Sequence, residues 1–69
     1  MFTSTEGMHG SDAVDFRIEL HGVAHIRRGT IEGFPSSDEY HKLYVMNPKL
    51  GRSALINVSQ VIRHFPKTP

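Results

Sequence analysis

The 69-residue chain contains no cysteine. That excludes disulfide staples and zinc sites built on thiolates. No apolar run approaches the roughly 20 residues that a helix needs to span a bilayer. The opening stretch, MFTSTEGMHGSDAVD, has neither a basic leading region nor an apolar core, so it does not read as a secretory leader. A cytoplasmic protein with no membrane partner is the resulting expectation. Charge of one sign is also scarce: eight Lys and Arg stand against seven Asp and Glu, a net +1 with histidines neutral. A protein that coats DNA without regard to sequence needs a larger cationic excess, because affinity grows with the phosphates neutralised. Any contact with nucleic acid must rest on local charge, at Arg27 and Arg28 or at Lys42, Lys49 and Arg52.

Length is the other shortage. A chain this short buries only about 60% of the surface its unfolded form exposes. With disulfides and thiolate zinc excluded, self-association is the remaining route to stability, and open strand edges offer it.

What is present is alternation. In VDFRIEL, Val14, Phe16, Ile18 and Leu20 share one face and Asp15, Arg17 and Glu19 the other, the period of a half-buried strand. His21-Gly22 reads as a turn. VAHIRRGTIEGF resumes the strand, and its two glycines, Gly29 and Gly33, argue for a sharply bent strand over a helix. Ile26 and Ile31 lie an odd number of residues apart, which predicts a bulge at Gly29 to bring both inward. PSSDE is a loop by composition. YHKLYVM is a third strand, with Leu43 and Val45 on one face and Tyr40, Lys42, Tyr44 and Met46 on the other. NPKLGR is a turn, SALI a fourth strand, NVSQ a single 3₁₀ turn and VIRHF a fifth strand. A helix over residues 54–65 is the competing reading. Its many β-branched residues, with Asn57 and Ser59 at its middle, weigh toward strand, turn, strand. The expected organisation is a flexible arm over residues 1–12, one all-β domain over 13–66 and a tail over 67–69.

Five short strands, a bend at paired glycines and a one-turn helix before the last strand describe a small SH3-like barrel. FRIELHG followed by GTIEGF, and then INVSQVIRHFP, resembles the two motifs of the Sm-like family that includes Hfq, over about residues 14–66. The resemblance implies a five-stranded barrel that forms homo-oligomers and binds RNA. The Lys-His pair of the family's second motif falls at Leu55 and Ile56 and is absent, so its uridine pore does not carry over. GTIEGF and INVSQV are also similar in rhythm to the plasmid-borne type II dihydrofolate reductases. The Val-Gln-Ile-Tyr segment of those enzymes falls at Ser53–Ile56, where its glutamine and tyrosine are missing.

Catalytic patterns are sparse. His21 and His25, four apart on extended chain, stand about 13 Å from each other, too far to share one ion. No serine has the sharp strand-to-helix context of an activated nucleophile, and Asp38 and Glu39 are adjacent loop carboxylates. Neither an enzyme nor a cofactor is expected. Tyr40, Lys42 and Tyr44 form an aromatic–basic–aromatic row that can stack bases and hold phosphate, or else pack at a subunit interface. The expectation is an oligomeric binding module that takes RNA or single-stranded nucleic acid through Arg27, Arg28, Tyr40, Lys42, Tyr44, Lys49 and Arg52. A protein-interaction adaptor of SH3-like type is the alternative, and a small reductase is third.

Overall fold

Val14 and Phe16 are fully buried and Arg17 and Glu19 exposed, as the period-two pattern predicts. The computed structural model, which describes residues 2–36 and 40–67, resolves the alternation into five strands. These are β1 (Ala13–Leu20), β2 (Val23–Gly33), β3 (Lys42–Asn47), β4 (Arg52–Asn57) and β5 (Val61–Phe65). A 3₁₀ turn, Val58–Gln60, joins the last two, so the helix reading of residues 54–65 does not hold. β-Branched Ile56, Val58, Val61 and Ile62 suit pleated chain better than a helix. Ser37, Asp38 and Glu39 of the expected loop lie outside the described residues.

All neighbours pair antiparallel in one sheet of order β4-β3-β2-β1-β5. The two edge strands are joined by only three residues. Four flat inter-strand spacings would put those edges about 19 Å apart, whereas a short 3₁₀ link spans less than half that distance. The sheet therefore curls, and it stays open along the β4–β5 seam. Its concave side holds Phe16, Ile31, Leu43, Val14, Val45 and Val61 at under 2% exposure.

Gly29 is a point of close approach inside the curled sheet. An added Cβ there would stand 2.9 Å from the Met46 carbonyl oxygen and 3.0 Å from Phe16 Cε1. Bent β2 can lie this close to β3 only without a side chain. The expected bulge is not at this glycine. The β1–β2 register runs unbroken from Ala13↔Thr30 to Leu20↔Val23, and Ile26 simply faces outward at 58% exposure. The β2–β3 register shifts instead between Ile31 and Gly33. His21 (φ 51°) and Gly22 (φ 76°) close the first hairpin with two left-handed residues, the requirement of a two-residue type I′ turn.

Residues 2–12, expected from the sequence as part of a flexible arm, are tied to the sheet. Met8 enters the core at 5% exposure, Thr5 N–H donates to the Tyr40 carbonyl (3.0 Å), and Ile31 N–H donates to the Asp12 carbonyl (2.8 Å). One methionine among polar residues leaves no periodic signal. Asp12 clamps this segment to the other end of the chain. Its carboxylate accepts from His9 N–H (2.9 Å), His64 Nε2 (2.7 Å) and Lys67 N–H (3.0 Å).

Two predictions follow from these contacts. Gly29→Ala destabilises by about 1–3 kcal/mol through overpacking, whereas Gly33→Ala, with open space around its Cβ, is neutral or slightly stabilising. Thermal melts of the pair that shift equally contradict the assignment of the bend. The hydrogen bonds from His64, Lys67 and His9 hold the Asp12 carboxyl at about 2, below its ordinary 3.8. A depressed carboxyl supports the fold above its unfolded value and loses that support as pH falls through its folded value. Asp12→Asn therefore lowers Tm at neutral pH, and its gap from the parent narrows between about pH 4 and 2; a gap that stays constant rules this role out.

Candidate nucleic-acid interface

Directly opposed residues of neighbouring strands share a face, as do residues two apart on one strand. The outward face of β1 carries Asp15, Arg17 and Glu19. Across it stand Arg28, Ile26 and Ala24 on β2, and Arg63 opposes Asp15 from β5. Phe65, two residues beyond Arg63, completes the set. Three arginines thus share one convex face with exposed Ile26 (58%), Ile62 (39%) and Phe65 (39%).

Asp15 is the carboxylate beneath them. It is nearly buried, and it accepts from Arg28 Nε (2.8 Å) and from Arg28 Nη2 (3.3 Å). The hydrogen-bonded Arg28 guanidinium, helped by the more distant Arg63, holds the Asp15 carboxyl below the usual carboxylate range, and Asp15 in turn raises Arg28. The guanidinium also lies over the Phe65 ring, 4.5 Å from its centroid, so it is oriented from both sides. Most of the Arg28 side chain still meets solvent, at 63% exposure.

Beside this patch the sheet narrows. β5 pairs with β1 only as far as Phe16, so Arg17–Ile26 continues as a two-stranded ribbon. Between ribbon and 3₁₀ turn opens a groove of about 730 Å³ that includes Arg17, Glu19, Ile26, Ser59, Gln60 and Ile62 in its lining. Gln60 fixes its wall. Its Oε1 accepts from Asn57 N–H (3.0 Å) and its Nε2 donates to the Arg17 carbonyl (2.8 Å). β5 opposes Asp15 with Arg63 but Phe16 with Val61, which leaves Ile62 as the extra residue of a bulge. A bulge of this kind re-aims a side chain, and Ile62 becomes a groove wall.

The seven residues expected from sequence do not form one surface. Tyr40 precedes β3 in a left-handed conformation (φ 71°), so the expected row on one strand reduces to Lys42 and Tyr44. Arg27 belongs to the opposite face from Arg28 and contacts the Ile26 carbonyl (3.2 Å) and His25 Nδ1 (3.3 Å). Lys49 and Arg52 sit at the β3–β4 turn, at the far end of that hairpin from Lys42. Asn47, buried at 4% exposure, ties the turn to β2 by donating to the Arg28 carbonyl (2.6 Å). The sequence pattern does not single out Arg17 and Arg63, which the fold sets on the face of Arg28. Arg17 is an outward residue of an alternating strand, whereas it takes the β1–β5 register to set Arg63 opposite Asp15 on the same face.

Among the described residues no group of three or more His, Cys, Asp or Glu could hold a metal ion, and no helix is long and apolar enough to cross a membrane. Compared with known proteins, the chain matches no family model, no curated sequence and no solved structure.

Proposed function

We propose that this protein is a self-associating β module that binds RNA or another single-stranded nucleic acid on the convex face of β5, β1 and β2. The observation that carries the reading is the interleaving of Arg17, Arg28 and Arg63 with exposed Ile26, Ile62 and Phe65 around one nearly buried carboxylate. Guanidinium groups suit phosphate because their planar donors bond two oxygens at once. Apolar side chains beside them supply surface for unstacked bases, which duplex nucleic acid does not expose. A face of this kind needs no large net charge, which agrees with the overall +1.

Self-association is supported on the other half of the sheet. Tyr44 (40% exposed) opposes Leu55 (49%), and Met46 (38%) lies two residues along from Tyr44. This apolar strip adjoins the unpaired edge of β4, and an open edge beside apolar side chains favours pairing with a second copy.

The test is a fluorescence titration with short RNA at several salt concentrations. Three phosphate contacts on a single strand give a slope of about −2 in log affinity against log salt, so a fourfold rise in salt weakens binding by roughly 20-fold. Arg63→Ala is expected to weaken binding and lower the slope by about 0.7. Absence of binding at low salt overturns the reading and puts a protein ligand for this face ahead. Sedimentation equilibrium on the same sample is expected to give at least twice the 7.8 kDa chain mass. A monomer mass removes the self-association.

A further inference from the structure

We infer that the groove between the β1–β2 ribbon and the 3₁₀ turn is a base-reading pocket selective for guanine. The inference rests on the nucleic-acid reading above and adds to it which base the face selects. At about 730 Å³ the groove falls in the size range that holds a small organic ligand. Its two apolar walls, Ile26 and Ile62, come from different strands, and the β5 bulge frees Ile62 from the ladder beside it. A flat, weakly polar ring can lie between them.

The polar groups decide which ring. Gln60 is held by one bond at its amide oxygen and one at its amide nitrogen, which fixes its orientation in the pocket wall. His25, also in the lining, opposes Ile18 on the other face and meets Arg27 Nη2 at 3.3 Å, which leaves reading to Glu19 and Ser59. Glu19 is exposed, and among the described residues its carboxylate has no ion-pair partner. A carboxylate only accepts hydrogen bonds, and its two oxygens match two adjacent N–H donors. Guanine presents such a pair in N1–H and its 2-amino group. Uracil offers one N–H flanked by two carbonyls, whose oxygens the carboxylate repels. Adenine and cytosine offer an exocyclic amine beside a ring acceptor. Arg17, two residues from Glu19 on the same strand and face, is positioned to hold the phosphate of the same nucleotide.

The experiment uses the full chain and fluorescein-labelled RNA hexamers at low salt: all-uridine, the same oligomer with one central guanosine, and that oligomer with inosine in place of guanosine. The guanosine oligomer is expected to bind about 10-fold tighter than all-uridine, the discrimination of one good bidentate contact. Inosine, which keeps N1–H but lacks the 2-amino group, is expected to lose most of that preference with the protein unaltered. Glu19→Gln is expected to bring guanosine and uridine oligomers within about twofold of each other, with all-uridine RNA binding somewhat tighter because a carboxylate that repels its carbonyls and phosphates is gone. Equal affinities of the parent protein for guanosine and uridine oligomers overturn the guanine assignment and leave the nucleic-acid reading standing. A preference that survives Glu19→Gln, or full retention with inosine, overturns the pocket chemistry. Failure of every oligomer to bind overturns both readings.

Discussion

The backbone of β2 comes so close to that of β3 at Gly29 that a single methyl group would meet the Met46 carbonyl at 2.9 Å and the Phe16 ring at 3.0 Å. Everything else in the molecule depends on that approach. Close packing at this point lets one sheet curl tightly enough for a three-residue turn to join its two edges. The curl gathers the buried side chains on the concave side and turns the alternate positions of β1, β2 and β5 outward. A flatter sheet of the same strands would leave the core half covered, with little margin in a chain of 69 residues to compensate.

Two carboxylates then hold the curled sheet in different ways. Asp12 is a clamp between the chain ends, taking hydrogen bonds from His9, His64 and Lys67. Asp15 faces the other side and orients Arg28, which it keeps charged and aimed along the convex face. Neither carboxylate is a free negative charge at the surface. With Arg28 and Asp15 largely cancelling each other, the outward field of β1, β2 and β5 is set by Arg17 and Arg63, with Glu19 standing at the ribbon end. Local arrangement gives this face a character that the overall charge of +1 conceals.

Local pattern in the sequence carried most of the fold. The alternation of β1 and β3, the His21-Gly22 turn, the need for glycine at Gly29 and the single 3₁₀ turn before β5 are all legible, because each leaves a mark on neighbouring residues. What was not legible depends on contacts between distant segments. Tyr40 shares the parity of Lys42 and Tyr44, but its left-handed backbone, with the carbonyl held by Thr5 N–H, takes it off the strand. Met8 is buried by a sheet face that no local pattern announces. The β1–β5 bulge that frees Ile62 and sets Arg63 opposite Asp15 is a matter of register between strands about fifty residues apart. The scatter of the expected site residues has the same origin: Arg27 and Arg28 look equivalent in sequence, while the pleat sends them to opposite faces.

The most direct test of the central claim, that the convex face of β5, β1 and β2 meets single-stranded nucleic acid, is amide chemical-shift mapping on isotopically labelled protein during titration with a short RNA. The largest changes are expected at Arg17, Ile26, Arg28, Ile62, Arg63 and Phe65, with the amides of Tyr44, Lys49 and Arg52 moving little. Changes concentrated on β3 and the β3–β4 turn, or none at any RNA concentration, contradict it.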